Sequence, residues 1–155
     1  MTTQLEDTLA AGLYQAYAYA YPHKTSYRPM EPTPLSEVWA EENKSALFLY
    51  AHVPFCEMRC GFCNLFTMAK PGANLGEAYV EAFRRQAQAT ATSLGDASFA
   101  QIAIGGGTPT QLDDAGFDAL FTILRDELGA ELDSVPVACE TSPETVTPSK
   151  VATMM

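Results

Sequence analysis

The stretch ALFLYAHVPFCEMRCGFCNLFT, residues 46–67, joins an apolar run to three of the chain's four cysteines, Cys56, Cys60 and Cys63. The run at 46–53 has the length of a strand buried in a parallel sheet. The cysteines then fall on the loop that leaves its carboxyl end. Working outward, the same order returns twice. Residues 75–94 read as a helix closed by Gly95 in a C-cap position, and 99–104 as a short apolar strand ended by Gly105, Gly106 and Gly107. Asp113 or Asp114 can cap a helix running to about Leu128, with Gly129 behind it. Residues 135–139 read as a third strand, and from Glu144 onward another helix begins. Strand, loop and helix in threefold succession predict an α/β fold: about three βα units with parallel strands and helices packed on the sheet. Ligands of such sheets gather at the carboxyl ends of the strands. The cysteines after strand one, the glycines after strand two and Glu140 after strand three all lie at that edge.

Ahead of the first strand, Leu5, Leu9 and Leu13 follow helical spacing, and Tyr14, Tyr17 and Tyr21 extend the stripe. Packing explains that stripe better than a ligand box. Four prolines from Pro22 to Pro34 predict an extended arm, and LSEVWAEEN adds a short helix. Residues 1–45 thus form an N-terminal helix and arm, and 46–155 the α/β body. With 9 basic against 19 acidic side chains, the net charge is -10, which argues against a nucleic acid or an anionic membrane as the main partner. The Arg84-Arg85 doublet reads as a solvated helix face. The N-terminus has no signal-peptide pattern, and no run approaches the roughly 20 apolar residues of a membrane span. A cytoplasmic location follows, where clustered thiols point to metal or redox chemistry over disulfides.

Three readings of the cysteines compete. Buried, inert thiols suit a loop containing Gly61 and Arg59 poorly. Structural zinc wants four closed ligands, and Cys139 or His52 would have to supply the fourth. Cys139 lies in the apolar stretch VPVAC, however, and reads as core. An iron–sulfur cluster held by three thiolates leaves one iron open to a small chelating molecule.

Here the chain resembles a known family. Cys56-x-x-x-Cys60-x-x-Cys63, with Phe62 before the last cysteine, resembles the cluster motif of the radical S-adenosylmethionine superfamily. The wider string Tyr50-Ala51-His52-Val53-Pro54-Phe55-Cys56 is similar to the opening of the oxygen-independent coproporphyrinogen III oxidase family. IAIGGGTPTQL at 102–112 and ACETSPETVTP at 138–148 resemble its later segments, in family order.

The resemblance implies a partial (βα)6 barrel, of which this chain holds about three units as the N-terminal half, so that a truncated core is expected. It implies a [4Fe–4S] cluster on Cys56, Cys60 and Cys63, whose open iron chelates S-adenosyl-L-methionine. Reductive cleavage of the sulfonium then yields a 5′-deoxyadenosyl radical that takes hydrogen from a small-molecule, tetrapyrrole-like substrate. An electron donor such as flavodoxin or ferredoxin is implied with it. Phe62, Gly105, Gly106, Gly107, Thr108 and Glu140 become candidate cofactor contacts. For the glycines the alternative is a tight strand-to-helix turn, and for Glu140 a solvated loop carboxylate. Tyr50 and His52 alternate with Leu49 and Ala51, which puts both on one face as candidate catalytic residues. A satisfied core histidine is the alternative for His52. The family's oxidases carry a further cysteine two positions after the third ligand, where this chain has Leu65; its haem-chaperone branch has an aromatic there. That leaves the substrate open, with a haem-binding chaperone as the second function implied. His23, Lys24, Tyr27 and Arg28 on the arm are candidate substrate or partner contacts, with a plain wrapping arm as the alternative.

Overall fold

The computed structural model describes residues 28–155 apart from Phe62, Asn64 and Ala73. The helix expected at 5–21 and the arm residues His23, Lys24 and Tyr27 lie outside the described residues. The chain divides into two compact units, Met1–Pro32 and Thr33–Met155. In the first, residues 28–32 have no regular secondary structure and are exposed.

The second unit opens with a one-turn helix, α1 (Leu35–Val38), shorter than LSEVWAEEN suggested. Strand β1 (Leu47–Val53) leads into a two-residue strand β2 (Phe55–Cys56), which pairs with β3 (Met68–Ala69) across the cysteine loop. Helix α2 (Leu75–Leu94) stops at Gly95, whose φ of 64° an L side chain rarely adopts. Strand β4 (Phe99–Gly106) runs two residues further than its apolar character suggests, through the first two glycines. A short 3-10 turn (Pro109–Gln111) precedes α3 (Asp114–Asp126), where Asp113 accepts from the Gly116 amide at 2.7 Å as the N-cap. Strand β5 (Val137–Cys139) and helix α4 (Pro148–Thr153) complete the order.

The main sheet is parallel, in the order β1-β4-β5. The strand made second therefore sits in the middle. Parallel neighbours need a crossover of a dozen or more residues, and α2 and α3 supply it. The α/β reading with three βα units holds.

Burial falls on one side. Ala51, Val53, Ile102 and Ile104 of the sheet meet Val80 and Ala87 of α2 and the α3 stripe Phe117, Leu120, Ile123 and Leu124. Phe48 and Tyr50, on the other side of β1, are 59% and 49% exposed. The run at 46–53 is thus covered by the described residues on one face, not buried on both. Arg84, read from sequence as solvated, instead pairs with Glu127 at 3.1 Å and ties α2 to the end of α3. Lys150 of α4 is 5% exposed, and its ammonium donates to the carbonyls of Thr110 (2.8 Å) and Thr145 (3.0 Å). No helix among the described residues is long and apolar enough to cross a membrane.

Candidate functional site

At the carboxyl edge of the sheet, the open face gathers residues from all three strands. Tyr50 and His52 share that face, as the alternation predicts, and the Tyr50 hydroxyl lies 3.2 Å from His52 Nδ1. Glu140, directly after β5, reaches back over β4, where its carboxylate accepts from the Gly106 amide at 3.0 Å. Burial raises the Tyr50 phenol above its ordinary range, and the Glu140 carboxylate adds to the shift. Tyr50, His52, Gly106 and Glu140 therefore form one cluster, although 90 residues separate the first from the last.

The glycines owe their lack of side chains to their own protein neighbours. A Cβ on Gly105 would come within 2.7 Å of Glu140 Oε2, one on Gly106 within 2.4 Å of the His52 ring, and one on Gly107 within 2.5 Å of the Phe55 carbonyl. Gly106 also has a φ of 104°. Their amides are engaged as well. Gly107 donates to the Val53 carbonyl (2.7 Å) and Thr108 to that of Phe55 (2.6 Å). No amide from 106 to 108 is left for a carboxylate ligand. The Thr108 hydroxyl is not spent on capping the turn that follows.

The same contacts pin the entry to the cysteine loop. The segment from Val53 to Cys56 is held on one side by Gly107 and Thr108. On the other, Met68 donates to Pro54 (2.6 Å) and Lys70 to Cys56 (2.9 Å). Cys56 is thereby fixed in β2, while Cys60 is exposed at the tip, where the Cys63 amide closes a turn onto the Cys60 carbonyl at 3.0 Å. The Cys63 thiol lies 3.5 Å from the Thr67 hydroxyl. That hydroxyl, then the Leu65 backbone, then Arg59, hold Cys63 below the ordinary thiol range. Phe62 lies outside the described residues.

Burial pushes the Cys139 thiol up to about 11, with the Glu140 charge adding to it, which keeps it a protonated core group as its strand position suggests. Both His52 ring nitrogens are engaged, Nε2 lying 2.8 Å from the Phe66 carbonyl. Neither residue is presented as a fourth metal ligand. The donor chemistry suits an iron–sulfur cluster: three thiols on one short loop, one of them biased toward thiolate. The loop does not draw them together, and no group of three or more His, Cys, Asp or Glu side chains among the described residues is close enough to hold a metal ion.

Sequence reasoning missed Tyr79, whose hydroxyl donates to the His52 carbonyl at 2.8 Å, and Phe55, buried edge-on against the Tyr79 ring at 5.3 Å. Tyr79 shows itself only as half of an i, i+4 aromatic pair with Phe83, and its partner lies 27 residues upstream.

No family model matches the chain. Single relatives do. The described architecture matches part of a solved fold: the structure of coproporphyrinogen III oxidase (HemN) from Escherichia coli, a radical SAM enzyme, superposes with a TM-score of 0.75 over 89% of this chain and 32% of that one, at 23% identity. In sequence, the oxygen-independent coproporphyrinogen III oxidase of Mannheimia haemolytica is 31% identical over 124 residues, covering 73% of this chain and 82% of that protein. The chain belongs to this oxygen-independent coproporphyrinogen III oxidase family. The Salmonella typhimurium oxidase is 28% identical over 86% of this chain and 31% of its own length. The heme chaperone HemW of Mycobacterium tuberculosis is 32% identical over 68% of this chain and 27% of its own length. The chain thus spans about a third of the length of the Salmonella typhimurium oxidase.

Proposed function

We propose that this chain carries the cluster and cofactor half of a radical SAM oxidoreductase site. Cys56, Cys60 and Cys63 would hold a [4Fe–4S] cluster, and S-adenosyl-L-methionine would bind beside it on the open face. The observation that carries the reading is the placement of a three-cysteine loop at the carboxyl edge of a parallel sheet, beside Tyr50, His52, Gly106 and Glu140, while the fourth cysteine is tucked into β5. When bound, the cluster would supply the electron that splits the sulfonium and starts radical chemistry on the substrate.

The chain's own groups supply the setting. Glu140, exposed and already aligned by the Gly106 amide, offers its remaining lone pairs to a cationic amine or a ribose hydroxyl. With the amides of 106 to 108 engaged, the glycine segment would meet a ligand through carbonyls and the Thr108 hydroxyl. It would thus favour the methionyl amine over its carboxylate. Phe62, one residue before Cys63, would contribute its backbone to the adenine. Tyr50 presents its ring to the open face, where a substrate or cofactor would lie. The substrate would be a tetrapyrrole related to coproporphyrinogen III, and the electron donor a flavodoxin or ferredoxin of the cytoplasm.

A second reading is a haem-chaperone type of protein that keeps the cluster without substrate turnover. The identity with HemW favours it, while Leu65 fits neither the oxidases' cysteine nor the chaperones' aromatic. Anaerobic reconstitution with iron and sulfide, followed by electron paramagnetic resonance of the dithionite-reduced protein with and without S-adenosyl-L-methionine, tests the common part. A reduced-cluster signal that changes with the cofactor is expected, and it should vanish when Cys56, Cys60 and Cys63 are replaced by Ala. Zinc bound without iron or sulfide would overturn the reading. Haem binding without substrate-dependent 5′-deoxyadenosine would select the chaperone.

A further inference from the structure

We infer that His52 is the positioning residue of the cysteine loop, and that Gly106, whose φ of 104° already favours glycine, leaves the room its ring needs. The inference deepens the reading of the loop as a cluster site.

For the neutral ring, the hydrogen bonds assign the tautomer. A carbonyl only accepts, so the 2.8 Å contact from His52 to Phe66 requires the proton on Nε2. Nδ1 is then an acceptor and takes the Tyr50 hydroxyl at 3.2 Å. A ring satisfied at both nitrogens is poorly placed to move a proton, and well placed to hold two things apart at a set distance. One is the end of β1, where the Tyr79 hydroxyl fixes the His52 carbonyl at 2.8 Å. The other is the exit of the cysteine loop at Phe66.

The exit matters because the loop's other attachments leave its inner limb unheld. Cys56 is locked into β2 by Lys70, and the tip is a local turn between Cys60 and Cys63. Between the tip and β3, His52 is the long-range hydrogen-bond partner the described residues give the limb, through Phe66. The next residue, Thr67, carries the hydroxyl that meets the Cys63 thiol at 3.5 Å. Placing Phe66 thereby places Thr67, and Thr67 faces Cys63.

The second glycine supplies the room. A Cβ on Gly106 would stand 2.4 Å from both Cε1 and Nδ1 of His52, far inside van der Waals contact with a ring that cannot fold aside like a flexible chain. The two strands are in register here, His52 opposite Gly105 and Val53 opposite Gly106. Any side chain at 106 would push the ring off the line that joins Tyr50 to Phe66.

Amide hydrogen exchange on the cluster-free chain tests this, with Gln and Asn compared at position 52. The Gln amide nitrogen reaches about as far as Nε2 and can still donate to Phe66; the shorter Asn cannot. His52→Gln should keep near-native exchange at Cys63, Met68 and Lys70. His52→Asn should speed these amides about fivefold, the factor for losing one net hydrogen bond, with Leu120 and Ile123 of α3 unchanged. Equal loop exchange in the wild type and both position-52 variants would overturn the inference. So would equal acceleration of loop and α3 amides in both variants, since that marks an ordinary packing residue. Neither result would touch the cluster assignment, which the reconstitution experiment decides separately.

Discussion

Surroundings set Cys63 and Cys139 apart. Cys63 sits among a hydroxyl, a backbone group and Arg59, all of which favour its thiolate. Cys139 sits against the core with a carboxylate beside it, and both disfavour the charge. Since the thiolate is the nucleophile, Cys139 should resist iodoacetamide at neutral pH and gain reactivity only as the pH climbs toward about 11, while the loop thiols alkylate first. Peptide mapping after timed alkylation of the native chain checks this. Cys139 labelling as fast as Cys60 at neutral pH would contradict it. At this scale the sequence was a good guide to residue type and a poor one to reason. VPVAC marked Cys139 as core from its neighbours alone. The glycine triplet stood out too, but the groups that require it are Glu140, His52 and Phe55, brought there by strands far apart in the chain. Local pattern carries no trace of such contacts.

Elements long enough to show a period were legible. Helix α2 has the bounds that its apolar spacing and Gly95 predicted, and α3 starts behind the Asp113 cap. Two-residue strands show no period, which is why β2 and β3 went unseen although they close the cysteine loop. Helix α4 is held less by its own six residues than by Lys150, whose ammonium also lies 3.6 Å from Asp114 at the start of α3. Lys150→Ala should cost about 2–4 kcal/mol, because the Thr110 and Thr145 carbonyls lose a charged donor inside the fold. Asp113→Ala should cost about 1 kcal/mol for a lost N-cap. Urea unfolding midpoints compare the two, and a Lys150 variant no worse than the Asp113 variant would show that α4 needs no such anchor.

Across the described part of the second unit, the core lies on the helix side of the sheet and the candidate site on the other. Phe117 is fully buried, its ring 5.1 Å from that of Phe121, whereas Phe48 is 59% exposed. Phe117→Ala should therefore destabilise by about 3–5 kcal/mol. Phe48→Ala should stay within about 1 kcal/mol. Equal costs, read from denaturant midpoints at constant slope, would mean that the open face is covered in solution. The apolar run at 46–53 hid part of this asymmetry, because Phe48 is as apolar as Leu49, although the alternation did set Tyr50 and His52 on one face. The topology also has a consequence for the order of events as the chain is made. Strand β4 is central, yet its partner β1 precedes it, so pairing can begin as soon as Gly107 has left the ribosome. His52 can meet Gly106 at that moment, and the cysteine loop can take its shape on a nascent chain that still lacks β5, Glu140 and Lys150. Strand β5 then arrives as a third wall, and Glu140 behind it brings a carboxylate to a loop already in place.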